Sequence, residues 1–387
     1  MTRFANETLC VHGGAARDHG ARGAINTPLV LSSTFVQDGP GGHQGYHYGR
    51  VGNPSRAALE ATLAGLEGAP HALAFASGCA AATTALLTLG AGAHVLAGRD
   101  LYGGTHRLLR QVMEPFAVAT SFVDLARVDD VLAALRPTTR MIWAESPSNP
   151  LLKVVDLAAL ATIARERRLT LVVDNTLATP ILQRPLELGA TLVLHSTTKY
   201  INGHCDVLGG ALMTRDDALA DHLRALQRAV GAVPSPFDCY LIERGLKTLA
   251  LRVARQVDAA HELARWLTTR PEVARVHYPG LPEHPTHALA AQQMRGPGAM
   301  ISLELKGGGA AARALLKATR LFSCAISLGG VESLAEHPAS MTHAMVPEPE
   351  RLAAGITEGL VRLSVGIEAL DDLRADLERG LTAEVHR

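Results

Sequence analysis

From residue 70 to about residue 213, short apolar runs of strand length alternate with segments of helical periodicity, and this alternation limits the possible folds more than any other feature. The runs Ala72–Ala76, Ala93–Ala97, Thr120–Val123, Met141–Ala144, Leu169–Val173, Thr191–Leu194 and Leu208–Met213 read as strands. Between and after them, Cys79–Leu89, Thr105–Met113, Val128–Leu135, Leu157–Glu166 and Ala218–Val230 read as helices. Such alternation implies an α/β fold with a mainly parallel sheet covered on both faces, whose ligands bind outside the carboxyl ends of the strands. The stretch before it is rich in Gly, Pro, Asn and His and has little periodicity, so residues 1–56 read as an arm. Residues 57–245 would form the large domain. Residues 246–387 would form a smaller α+β domain, from a long helix (Leu246–Leu267), strands near Ala299–Glu304 and Val361–Val365, and helices Ala310–Thr319 and Leu370–Leu377.

Composition narrows the class. In 387 residues, 37 basic side chains balance 37 acidic ones, which removes the electrostatic footprint of a nucleic-acid binder and points to small molecules and copies of itself as partners. Gly68–Gly98 contains no charged residue and is long enough to span a bilayer, but Ser77-Gly78, Gly90 and Gly92 punctuate it as strand, helix and strand of a buried βαβ pattern, so no membrane span is expected. Five scattered cysteines without Cys-x-x-Cys spacing, and a start, Met1–Cys10, with no apolar signal core, read as a reduced cytoplasmic protein. The 17 histidines form no recognised ligand spacing, and no metal is expected.

The chemistry concentrates at strand ends. Asp174 closes the apolar run Leu169–Val173, and Lys199 follows Thr191–Leu194 within His195-Ser196-Thr197-Thr198-Lys199. A charge at either place needs a partner. A desolvated lysine loses its proton readily and attacks an aldehyde, while a buried carboxylate keeps a pyridine nitrogen protonated; both requirements belong to pyridoxal phosphate. An N-capping aspartate and a snorkelling lysine are the plain alternatives.

Other candidates join them. Gly78 and Cys79 stand where a strand turns into a helix and offer amides to a phosphate, although Ser-Gly is also an ordinary cap. The hydroxyls of Ser196 and Thr198 share a face if the strand continues, or meet at a turn. Tyr102 can stack on a flat ring, and Asn149, between Pro147 and Pro150, can donate to a ring oxygen; a loop tyrosine and a rigid turn are the alternatives. Tyr48 and Arg50 make sense as phosphate ligands only if the arm lies over a site. Arg362 interrupts an apolar strand and wants a carboxylate, supplied by an amino-acid substrate or by Glu368 or Asp371.

These motifs together resemble the transsulfuration family of pyridoxal-phosphate enzymes. The likeness runs through Val11-His12-Gly13-Gly14, Ser32-Ser33-Thr34-Phe35, Tyr48-Gly49-Arg50, Ser77-Gly78, Tyr102-Gly103-Gly104, Val173-Asp174-Asn175-Thr176, Thr198-Lys199-Tyr200, Arg244-Gly245-Leu246-Lys247-Thr248-Leu249, Ser327-Leu328-Gly329-Gly330 and Arg362-Leu363-Ser364. It implies the fold type I of pyridoxal-phosphate-dependent transferases, Lys199 bonded to the cofactor, Asp174 on its ring nitrogen and Tyr102 stacked on the ring. It also implies that Tyr48 and Arg50 reach the phosphate of a neighbouring subunit in a homotetramer built as a dimer of dimers, and that Ser327, Glu332 and Arg362 bind substrate.

Within the family, Gly104 stands where methionine γ-lyases resemble one another in carrying cysteine, and Leu328 and Val331 differ from the aromatic-bearing loop of β-lyases. Glu332 is shared by γ-lyases and γ-synthases. The segments 232–241 and 278–285 look most like γ-lyases, so γ-elimination on cystathionine is the expected reaction, with γ-replacement as the alternative. Gly49 and Cys79 depart from the family pattern without removing a named group. A scaffold without catalysis would be expected to lack Lys199 or Asp174, and a nicotinamide site would need a Gly-x-Gly-x-x-Gly after the first strand.

Overall fold

The computed structural model describes residues 4–13 and 24–383. Residues 1–3 and 14–23 of the expected arm, and 384–387 at the other end, lie outside the described residues. Seven strands form the larger sheet: β1 (His71–Phe75), β2 (His94–Gly98), β3 (Ala119–Val123), β4 (Thr139–Glu145), β5 (Thr170–Asp174), β6 (Leu192–His195) and β7 (Gly210–Thr214), in the order β1-β7-β6-β5-β4-β2-β3. All seven expected strands are present. Only β7 runs against its neighbours. A parallel return from β6 would need a crossover of about a dozen residues that packs back as a helix; residues 196–209, which include Lys199, form turns instead. β1 and β2 run parallel around the helix Gly78–Leu86, as the uncharged stretch suggested, but four strands stand between them. No described helix is long and apolar enough to cross a membrane.

A second sheet follows, in the order β10-β11-β12-β9-β8: β8 (Val273–His277), β9 (Met300–Leu305), β10 (Ser323–Cys324), β11 (Leu334–Glu336) and β12 (Leu360–Ser364). Only β9 and β12 are foreseen by local pattern. β10 and β11 are two and three residues long, too short for period-two alternation to register. The expected helix from Leu246 starts at Leu249, because Pro236–Leu246 is a separate helix and Lys247 and Thr248 turn between the two. Nor is the arm wholly separate from the core. The helix Asn6–His12 buries Leu9 and Cys10 in the main hydrophobic cluster, and Pro54–Glu67 begins with a proline in its first turn and Asn53 accepting from the amides of Ser55 and Arg56.

Candidate active site

A cavity of about 180 Å³ opens at the carboxyl ends of β4, β5 and β6, closed on its far side by the second sheet. It brings Gly78, Cys79, Tyr102, Asn149, Asp174, Ser196, Thr198, Lys199, Ser327 and Arg362 together. Tyr48 and Arg50 are not among its walls. Tyr48 is 43% exposed, and Arg50 donates to the Arg228 carbonyl at 2.5 Å with its guanidinium over the Tyr48 ring. Glu332 also lies outside the wall, exposed beside the Cys205 thiol on an otherwise largely buried loop.

Lys199 Nζ lies 2.8 Å from Ser327 Oγ. Burial, then the charge of Arg362, pulls its amine down to about 8, so it is not a snorkelling surface lysine. Asp174 Oδ1 accepts from the Thr176 amide (3.0 Å) and hydroxyl (2.5 Å), a local turn; it is not the helix cap of the plain reading, since the next helix, Thr179–Leu182, starts after Ala178. Its other oxygen takes no hydrogen bond from a described residue. Beside it in register stands Glu145, whose Oε2 accepts the Tyr102 amide at 2.8 Å. Burial pushes both carboxyls above their usual range, and for Glu145 the neighbouring Asp174 charge pushes further. Neither forms an ion pair with a described residue.

Ser77 Oγ caps the helix Gly78–Leu86 by accepting from Ala80 at 3.0 Å, so the Ser-Gly pair is a cap as well as a cavity wall. The amides of Gly78 and Cys79 stand at the positive helix end. A side chain at position 78 would bring its Cβ to 2.9 Å of Ser196 Cβ, and one at 210 would stand 2.2 Å from the Ser77 carbonyl, so glycine at both places lets this corner close. Ser196 and Thr198 reach it through a turn, since β6 ends at His195; Thr198 Oγ1 exchanges hydrogen bonds with the Gly209 backbone. A Cβ at Gly104 would fall 2.3 Å from the Tyr102 ring, so the glycine lets that ring fold back over its own helix.

Arg362 corrects one expectation. Its carboxylate partner is neither Glu368, which accepts from Ser333, nor Asp371, but Glu336 at 2.9 Å, directly across the β11–β12 pairing. Nη1 also donates to Asn149 Oδ1 and Nη2 to the Ser327 carbonyl, each at 2.8 Å. These contacts hold Ser327 at φ 147, a strained value for a residue with a side chain. With Oδ1 of Asn149 taken, its amino group is left to donate. Of five guanidinium hydrogens, those on Nε and the second on Nη2 have no described acceptor, and Nε is buried. Nε and Nη2 are neighbouring donors of the planar fork, a pair that a carboxylate can take in two bonds where it reaches Nε.

The sequence signature of the Cys/Met metabolism PLP-dependent enzymes matches residues 7–382. This chain belongs to that family. It is 51% identical over 377 residues to a cystathionine β-lyase of Coxiella burnetii, with 97% of each chain covered, and 51% identical over 376 residues to a cystathionine γ-synthase of Mycobacterium bovis, covering 97% of this chain and 96% of the other. The crystal structure of a cystathionine γ-lyase from Lactobacillus plantarum complexed with L-serine superposes with a TM-score of 0.95 at 44% identity, covering 98% and 99%. The fold is accordingly that of fold type I pyridoxal-phosphate enzymes, and the family depends on that cofactor. The cavity fits it on two counts. A protonated ring nitrogen would compensate Asp174 beside Glu145, and the Gly78–Ser196 corner offers amides and hydroxyls to a phosphate.

Sequence reading missed Glu145, Thr176, Glu336 and Thr342 as parts of the site. Thr176 stood inside a quoted motif, and Glu145 directly follows the expected strand Met141–Ala144, which was signal enough. Glu336 left none, because only strand register places it against Arg362, and Thr342 joins it from a turn, donating to it at 2.8 Å. Among the described residues, no three His, Cys, Asp or Glu side chains are grouped to hold a metal ion.

Proposed function

We propose that this protein cleaves cystathionine by γ-elimination, taking up water to give cysteine, 2-oxobutanoate and ammonia. The observation that carries this reading is Arg362, its Nε without an acceptor among the described residues, in the same cavity as Lys199 and Asp174: a cation for the carboxylate of an amino acid beside a base and an anion for a ring nitrogen. Bound there, pyridoxal phosphate would take the substrate's amino group and draw electrons from Cα, so that the Cα–H bond becomes acidic. Arg362 and the Asn149 amino group orient the carboxylate, which turns that bond toward Lys199. Lys199, steadied by Ser327, removes the Cα proton as a free amine and moves protons at Cβ. Tyr102, kept protonated by burial, donates to the departing sulfur. Glu332 would meet the distal ammonium group at the cavity mouth, and Tyr48 and Arg50, outside their own chain's cavity, would complete a neighbouring subunit's phosphate site in a tetramer.

The likeness to both γ-synthases and lyases supports one second reading, γ-replacement on O-succinylhomoserine with cysteine. Purified holoprotein given cystathionine alone is expected to release 2-oxobutanoate with a higher kcat/KM than it shows in making cystathionine from O-succinylhomoserine and cysteine. The reverse ranking overturns the assignment. Pyruvate and homocysteine as the products from cystathionine would move it to β-elimination.

Lys199 also sets a pH dependence. The aldehyde reacts with the free amine, whose fraction grows as pH approaches about 8 and saturates above it. The rate at which the apoprotein captures pyridoxal phosphate, followed by absorbance after rapid mixing, is expected to rise about tenfold per pH unit below that value and level off beyond it. A rise continuing toward the ordinary lysine value of 10.5 would contradict the buried setting of the amine.

A further inference from the structure

Behind the cavity lies a buried acid–base pair that the proposed chemistry does not use. Asp174 and Leu194 line the cavity, whereas their successors Asn175 and His195 turn to the other side, where both meet Glu67, the last residue of the helix Pro54–Glu67. His195 Nε2 lies 2.6 Å from Glu67 Oε1, and Asn175 Nδ2 donates to the same oxygen at 3.0 Å. Asn175 is fixed in turn by Gln183, which donates to its Oδ1 at 3.0 Å and accepts from its Nδ2 at 2.8 Å through the backbone carbonyl. Glu67 and His195 are each 1% exposed, and Glu67 Oε2 and His195 Nδ1 have no partner among the described residues. A buried acid and base with orphaned atoms is a weak way to hold a fold together, since apolar residues of similar volume often serve as well or better. The pair's position suggests another use. Strand pairing sets Asp174 opposite Leu194, which places His195 one residue beyond it. The charge of His195 works against burial in holding the Asp174 carboxyl down.

We propose that Glu67 and His195 are positioning residues: the imidazole, held by Glu67, shields Asp174 from the Glu67 charge and turns its own positive edge to the aspartate, so that Asp174 stays ionised for the cofactor's ring nitrogen. The proposal rests on the reading of Asp174 as that nitrogen's partner.

The test needs no turnover. Pyridoxal phosphate is titrated into apoprotein, with protein fluorescence and the visible absorption band as readouts. His195→Gln keeps a donor for Glu67 but leaves the carboxylate charge uncompensated, and a rise in Kd of about tenfold or more with a displaced band is expected. The double variant Glu67→Gln/His195→Gln removes that charge and is expected to return Kd to within about threefold of the parent. A double variant that binds as weakly as His195→Gln, or more weakly, makes the pair purely structural and overturns the proposal. So does an unaltered Kd in His195→Gln. Should His195→Gln fail to fold, Glu67→Gln carries the test. A displaced band with an unaltered apoprotein Tm supports the proposal, and an unmoved band overturns it. A parent chain that binds no cofactor overturns the reading of the site itself, and this proposal with it.

Discussion

Lys199→Ala is expected to lower kcat by about four orders of magnitude or more, because it removes the group that takes the Cα proton in a site with no second free amine among its described walls. Borohydride reduction of the parent holoprotein followed by peptide mapping should find the cofactor on Lys199, and on no residue of the variant. An adduct elsewhere would overturn the site. The same substitution is expected to stabilise the apoprotein. With the amine shifted from 10.5 to about 8, burying its charge costs on the order of 3 kcal/mol wherever both folded and unfolded states hold the proton. That cost is complete below about pH 8 and fades as pH rises toward 10.5. The Tm of the apo variant should therefore exceed that of the apo parent at neutral pH, and the gap should close in alkaline buffer. A lower Tm at neutral pH would show that the packing of the lysine stem outweighs its desolvation.

Arg362→Leu is expected to damage both stability and turnover, for separable reasons. Removing the guanidinium leaves Glu336, 0% exposed, without its counter-charge, and breaking a buried pair in this way costs about 3–5 kcal/mol. It also removes the edge that holds the substrate carboxylate, so KM is expected to rise about 30-fold or more. Arg362→Leu/Glu336→Leu separates the two effects. Taking away both charges should restore much of the Tm lost, while kcat/KM stays as low as in the single variant. A double variant that regained kcat/KM would mean that Arg362 serves the fold alone and that the substrate is held by another group.

Much of this site is legible in the sequence because its members sit at positions that local pattern defines. Apolar runs of strand length give the end at which Asp174 stands and the turn beyond β6 that carries Lys199, and the strand-to-helix switch at Ser77-Gly78 marks the corner fit for a phosphate. Where two local readings of one residue competed, the structure often shows both. Ser77 caps its helix and borders the cavity, whereas Asp174 caps no helix: one oxygen makes a turn with Thr176 and the other is left to the cavity. Periodicity fails where elements are very short. β10 and β11 have no pattern of their own, so the strand that carries Glu336 is not visible before its partner β12 is placed. The arm misleads for the opposite reason. Gly, Pro and Asn make it read as open chain, yet about two turns of helix are enough to bury Leu9 and Cys10.

What the chain's own sequence determined is the layered α/β architecture, the strand ends that carry the lysine and the aspartate, and through them the kind of cofactor. Burial periodicity and turn chemistry are local, and each can be read within a window of a few residues. Tertiary structure alone decided the reversal of β7, the Glu145–Asp174 and Glu336–Arg362 neighbours, the Glu67–His195 pair behind the site, and the exclusion of Tyr48 and Arg50 from their own chain's cavity. In each of these, the free energy depends on which residue lies opposite. That is set by register and packing between segments far apart in the chain, whereas a local pattern reports only which face of a segment is apolar.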